Sequence, residues 1–176
     1  MSTASLPVQM SLEEFPARSP RTDGGREELI EGELVLSPDP KADHAYVVEI
    51  IREALRPLLA DGYFIGNNSS CMLPPRSMLS PDLFVVRRER MMEAVRRRDW
   101  LQGAPDLVIE ISSSSNRRLQ TKADLYLRHG AEQVWTVYPK RSVVLVSTED
   151  GPREAREGET VEFRGVAINV RDLFAF

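Results

Sequence analysis

The chain has 176 residues, a formal net charge of -4, 41% hydrophobic and 28% charged residues. That composition fits one globular domain rather than a disordered or fibrous chain, and no apolar run reaches the ~20 residues of a membrane-spanning helix. Cys71 is the only cysteine, which excludes an internal disulfide and any metal site built on a cysteine cluster.

Residues 1–25, with Pro7, Pro16, Pro20, Gly24 and Gly25, read as a loose N-terminal arm with one short helical turn near Ser11–Phe15; residues 26–176 read as a single domain. The first ten residues lack a basic segment followed by an apolar one, so no secretory signal is read and the cytoplasm is the expected location. Glu28–Leu36 predicts two short strands around Glu31-Gly32, a hairpin broken by Ser37-Pro38-Asp39-Pro40. From Asp43, the residues Tyr46, Val47, Ile50, Ile51, Ala54, Leu55 and Leu58 recur at three and four, which marks an amphipathic helix. Asp43 is its expected N-cap and Pro57 its expected early stop. Tyr63–Leu73 reads as one strand ended by Pro74-Pro75. Leu83–Val86, opened by Pro81-Asp82, and Leu107–Ile111, opened by Pro105-Asp106, are apolar runs of strands covered on both faces.

Between those two strands lies a very basic stretch, Arg87, Arg88, Arg90, Arg96, Arg97 and Arg98, interrupted by Glu89, Glu93 and Asp99. It reads either as a solvated helix face of mixed charge or as a phosphate-binding surface carried by Arg87, Arg88, Arg96, Arg97 and Arg98. A helix from about Asn116 to Arg128, stopped by His129-Gly130, a strand Gln133–Tyr138 and hairpin strands near 142–147, 160–164 and 166–170 complete the order. The expected fold is α/β (α+β), a mixed central sheet flanked by helices with β-hairpins at both ends.

Glu110 stands inside the apolar run Leu107–Ile111. A buried carboxylate without a partner costs several kcal/mol, so Glu110 needs a proton, a cation or a metal; Arg117 and Arg118 are alternative partners at the sheet edge. Asp82 sits at the mouth of the preceding strand. If the strands are neighbours, the two carboxylates approach each other at one end of the sheet, and a shared proton or a divalent cation relieves their repulsion. Lys122 falls on the apolar stripe of its helix with Leu119, Ala123 and Tyr126, either facing inward or snorkelling with a buried stem. The run Ser112–Ser115 has no nucleophile-elbow glycines, and the chain has only His44 and His129 as histidine bases. It reads as a polar loop leading to a helix cap at Asn116.

The ordered set Glu28–Glu33, His44, Pro81-Asp82, Pro105–Ser113, Lys122 with Tyr126 and Gly130, then Glu132 and Trp135, resembles the Uma-type putative restriction endonuclease family, a former domain of unknown function within the PD-(D/E)XK nuclease superfamily. The resemblance spans about Ser11 to Phe176. It implies a restriction-endonuclease-like core with an Asp, a Glu and a Lys around magnesium. Asp82 matches the motif's aspartate and Glu110 its second acid. The lysine usual two residues later is replaced by Ser112, and Lys122 matches the lysine that this family carries on the following helix. Glu28 and His44 match accessory positions. Ser114 replaces a usual proline, and Gln133-Val134 replace a usual Glu-Tyr. The implied function is Mg2+-dependent DNA endonuclease activity, with Mn2+ as a substitute and no organic cofactor. Asp82, Glu110 and the Ile111 carbonyl would hold the metal, and Lys122 would serve the attacking water. The alternative is a catalytically silent module that acts by self-association or partner binding. Apolar strand residues Trp135 and Val137 and the ending Leu173-Phe174-Ala175-Phe176 suggest a homodimer.

Overall fold

The computed structural model describes residues 9–17, 26–37, 40–112 and 117–175, with Arg117 described by its backbone only. Its elements in order are α1 (Glu14–Ala17), β1 (Arg26–Ile30), β2 (Glu33–Ser37), α2 (Ala42–Leu55), β3 (Tyr63–Gly66), β4 (Cys71–Leu73), β5 (Ser77–Leu79), β6 (Leu83–Arg87), α3 (Arg88–Arg97), β7 (Leu101–Gln102), β8 (Leu107–Ile111), α4 (Arg117–Arg128), β9 (Gln133–Tyr138), β10 (Val143–Thr148), β11 (Gly151–Arg156), β12 (Thr160–Phe163) and β13 (Val166–Asn169).

The central sheet has the order β11-β10-β9-β8-β6-β3. Its β8–β9 pair is parallel, with α4 as the crossover, and its other pairs are antiparallel. Alternation sends Leu83, Val85, Leu107, Ile109, Trp135 and Val137 to one face, where they pack with Val47, Ile51 and Leu55 of α2 and Val161, Phe163 and Ile168 of the C-terminal hairpin. Phe84, Val108 and Val134 project to the other face and meet Ala123 and Tyr126 of α4 with Ile30, Cys71, Leu73 and Leu79. The latter four belong to a second sheet, ordered β2-β1-β5-β4-β7, which carries the N-terminal hairpin. The fold is the expected mixed α+β arrangement.

The predicted N-terminal hairpin turns at Glu31 (φ 49) and Gly32 (φ 87), the two positive φ angles that a two-residue hairpin loop of this type requires. The Arg76 guanidinium lies where a Gly32 side chain would project, while the Gly32 amide donates to the Arg76 carbonyl at 2.7 Å. Residues 1–8 and 18–25 lie outside the described residues, but Gln9 bridges to Glu33 and the Met10 amide donates to the Gly32 carbonyl at 2.8 Å. The expected loose arm is therefore tied to the hairpin at these two residues.

Two expectations need correction. The run Tyr63–Leu73 is two strands in different sheets, β3 and β4, because the chain leaves the ladder after Gly66 and turns through Asn68 at φ 52. The α2 N-cap is Lys41, without a side-chain hydrogen bond, and Asp43 falls inside the first turn. Of the residues that suggested a homodimer, Trp135, Val137 and Leu173 are 0% exposed and fill the core of their own chain, Phe174 is half-buried, and Phe176 lies outside the described residues. Pro57 acts as expected: α2 gives way at Leu55 to a 3-10 turn over Arg56–Leu59. Among the described residues no helix is long and apolar enough to cross a membrane.

Candidate active site

Leu83 pairs with Ile109 across the antiparallel β6–β8 ladder, and extending that register by one residue sets Asp82 opposite Glu110. Asp82 precedes β6, so its carboxylate is free to turn along the ladder, where its Oδ2 accepts the Ile111 amide at 2.8 Å. Glu110 shares the parity of Val108 and so projects toward α4 rather than toward α2. It is 4% exposed.

The helix returns the partner. Lys122 and Tyr126 are four residues apart on α4, one above the other. Lys122 Nζ lies 2.7 Å from Glu110 Oε1 and 2.9 Å from Glu28 Oε1, and the Tyr126 hydroxyl donates to Glu110 Oε1 at 2.9 Å. The inward reading of Lys122 is the one realised: the side chain is buried and bridges two carboxylates instead of snorkelling outward. Glu28 reaches this point from β1, and its Oε1 also accepts the Ser80 amide at 2.8 Å. The alternative partner of Glu110, Arg118, is turned away and pairs with Glu33 at 3.2 Å.

Asp82 has its own cationic side. Arg26 Nη2 lies 2.9 Å from Asp82 Oδ1, and His44 Nε2, from the first turns of α2, lies 3.3 Å from the same oxygen. Arg26 Nη1 also donates to the Ser80 carbonyl at 2.6 Å, which ties the segment before Asp82 to β1.

These contacts set the charge states. Burial pushes Glu110 up to about 7 although Lys122 pulls the other way, and the Asp82 and Glu28 carboxylates add to burial. Burial opposes ionisation of Asp82 too, yet His44, the Ile111 amide and Arg26 outweigh it and hold Asp82 below the usual carboxylate range. Burial also works against the Lys122 ammonium, but Glu110 and Glu28 more than offset it and hold its pKa above the usual lysine value. Tyr126 is raised well above the usual phenol value by burial and then by Glu110, so it remains a donor. Cys71 is pushed up to about 12 by burial and is no nucleophile at neutral pH.

The cluster opens into a cleft of about 720 Å³ whose lining includes Glu28, Asp82, Glu110, Ile111 and Lys122, together with Arg26, Lys41, Arg118 and Lys140. The floor is acidic and the added cations are four. Lys41 and Lys140 are exposed and make no ion pair with another described residue.

The Uma2 family, described as "Putative restriction endonuclease", matches residues 12–175. The chain belongs to the Uma2 family. Among solved structures it is similar to one described as a putative nuclease belonging to DUF820 from Anabaena variabilis, at 22% identity and a TM-score of 0.78, covering 94% of this chain and 98% of that one. That likeness is one of fold. No curated protein matches the chain.

Within this Uma2 chain the residues singled out from the sequence divide into two groups. Glu28, His44, Asp82, Glu110, Ile111, Lys122 and Tyr126 meet at one point. The arginine stretch does not join them, because β6 starts just after Asp82 and ends at Arg87, which places α3 at its far end. There Arg87 stacks over the Tyr63 ring at 4.3 Å, Arg88 donates to the Leu59 carbonyl at 2.8 Å, and Arg97 pairs with Glu93 within the helix. Arg26 and Ser80 escaped the sequence reading. Arg26 had a signal, since it lies two residues before Glu28 on a strand and therefore shares its face. Ser113–Ser115 and Asn116 lie outside the described residues.

Proposed function

We propose that the chain is a Mg2+-dependent nuclease that hydrolyses phosphodiester bonds in DNA. The observation that carries this reading is the juxtaposition of Asp82 and Glu110 across β6 and β8 at a cleft floor, with the Lys122 ammonium beside them and cations along the cleft. Membership of a family described as "Putative restriction endonuclease" supports it.

The donor chemistry fits magnesium. Among the described residues no group of three or more His, Cys, Asp or Glu side chains is arranged to hold a metal, so the candidate side-chain ligands are the two acids Asp82 and Glu110. Mg2+ characteristically takes one or two carboxylates and leaves its other positions to water and phosphate. Asp82, Glu110 and the Ile111 carbonyl would supply hard oxygen ligands, and Mn2+ would be accepted by the same set. When bound, the metal would polarise the phosphoryl group and acidify a water molecule. Lys122, held charged by two acids, acts as a fixed cation for developing negative charge rather than as a base. Tyr126 holds Glu110 by a hydrogen bond, and Arg26 and His44 orient Asp82. Lys41 and Lys140, exposed along the cleft, would meet phosphates of a bound strand.

A second reading, a silent nuclease-fold module that acts by self-association or partner binding, is favoured by one observation: the Lys122 ammonium contacts both Glu110 and Glu28 and offsets part of their charge. Incubation of the protein with plasmid and oligonucleotides, with Mg2+, Mn2+ or chelator, separates the two. Cleavage that needs the divalent ion and disappears in Asp82→Asn is expected. No metal-dependent cleavage, together with no calorimetric heat for Mn2+, would leave the silent module standing.

A further inference from the structure

We infer that the outer face of α3 is a two-fold contact surface for a second copy of this chain. The inference is independent of the nuclease reading, because α3 lies at the far end of β6 from Asp82.

Three of the large apolar side chains that the fold leaves exposed fall within nine residues: Met92 (40%), Val95 (53%) and Trp100 (39%). Ala94 is the buried residue of α3, so the helix already has its inward side, and Met92 and Val95 lie on another side. At 3.6 residues per turn Met92 and Val95 sit one turn apart on a single line, continued toward the N-terminus by Arg88. Glu89 and Arg96 flank that line on one side, two turns apart. Glu93 and Arg97 pair with each other within the helix, whereas neither Glu89 nor Arg96 has a partner among the described residues.

That pattern is self-complementary. A dyad perpendicular to two antiparallel copies of α3, passing midway between Met92 and Val95, puts Met92 of one copy against Val95 of the other. It also brings the same flank of both helices together, so Glu89 meets Arg96 of the mate, and the pair occurs twice. A partner of unrelated sequence would need its own matching acid, base and apolar pair, while a second copy supplies all of them by symmetry. A ten-residue helix is about 15 Å long, so the surface is at the small end for a specific contact and the association is weak, in the micromolar range or above.

Sedimentation equilibrium of the full chain at roughly 5–200 µM, a range suited to such affinity, tests this. The parent is expected to show a monomer–dimer equilibrium, and Val95→Glu to abolish it. Glu89→Arg and Arg96→Glu should each weaken self-association roughly tenfold or more, since each places like charges opposite one another twice. An equimolar mixture of these two variants restores both opposite-charge pairs and should form a heterodimer with near-parental affinity. The double variant E89R/R96E should self-associate like the parent. A parent that stays monomeric over the whole range, a dimer untouched by Val95→Glu, or a mixture that fails to associate overturns the inference. Circular dichroism checks that each variant keeps its fold.

Discussion

Pro81-Asp82 enters β6 and Pro105-Asp106 enters β8, and because the strands are antiparallel the two dipeptides cap opposite ends of one ladder. Each aspartate accepts the amide of the residue that ends the other strand: Asp82 from Ile111 at 2.8 Å, Asp106 from Arg87 at 2.8 Å. Locally the two ends are near copies. They differ in what surrounds the carboxylate. Asp106 pairs with Arg90, at 3.5 Å and partly exposed, whereas Asp82 lies beside a buried second acid that Lys122 clamps to a third. A strand-mouth aspartate is therefore a structural cap by default, and it becomes a chemical candidate only where the opposite strand carries an acid toward a helix that can answer it.

The largest expected effect breaks the two ends apart. Asp82→Asn or Glu110→Gln should lower metal-dependent DNA cleavage by on the order of 10³-fold, while Asp106→Asn leaves the rate within about twofold. Equal losses in Asp82→Asn and Asp106→Asn, measured as kcat/KM on one oligonucleotide, would mean that the distinction is wrong.

Next comes Lys122. Lys122→Ala should lose roughly 10²-fold in cleavage rate, as removal of a single electrostatic stabiliser does, while binding Mn2+ at least as well as the parent because Glu110 is released. It also leaves two buried carboxylates uncompensated, so unfolding in chelator at pH 8 should be easier by roughly 3–5 kcal/mol. Urea unfolding with and without Mg2+ reads this directly: the metal should recover part of the loss. Arg118→Ala, whose partner is Glu33 at the surface, should change stability by less than about 1 kcal/mol.

The pH profile of stability gives a smaller signal. Glu110 is raised by burial, so the folded state holds a proton that the unfolded chain has released. Stability in chelator should therefore increase as pH falls from about 7 toward the ordinary glutamate value of about 4.3. Asp82 is depressed despite its burial, so its contribution is present above the ordinary aspartate value and is lost as pH falls through its folded pKa. The two limbs oppose, and maximum stability should lie in the mildly acidic range. Glu110→Gln should flatten the upper limb and leave the lower one; a profile unchanged by that substitution would contradict the assignment.

The smallest effect concerns two basic regions. Lys41→Glu with Lys140→Glu should weaken DNA binding several-fold and reduce its salt dependence, because these lysines line the cleft. Arg97→Glu should change binding by less than about twofold, since its guanidinium is committed to Glu93 at the far end of β6. Fluorescence anisotropy at several salt concentrations distinguishes the two; the reverse order would return the arginine stretch to the substrate.

What was legible in the sequence follows from where the signal is local. β6 and β8 read directly because both faces are covered and their apolar runs are continuous, and α4 because its periodicity is clear. β4, β5 and β7 have three, three and two residues, too short for any period. β11 was missed because Gly151–Arg156 is an edge strand with mostly exposed side chains, recognisable only through its pairing with β10. The same holds at the site. Glu110 announces itself as a charge in an apolar run, but nothing near Lys122 says that its second partner is Glu28. The arginine stretch misled for the converse reason: charge density along a chain says nothing about which end of a strand it lands on.

Glu28 and Lys122 stand 94 positions apart, and the hairpin carrying Glu28 joins the rest of its sheet through β5 at Leu29–Met78. Contacts of such separation close late, after the loops between them have collapsed. An assembly intermediate can thus own a complete six-stranded sheet, with Asp82 and Glu110 already in register, and still leave Lys122 half-answered. Acylation of Lys122 by an amine-reactive reagent would then clock the docking of the hairpin, separately from the formation of the central sheet.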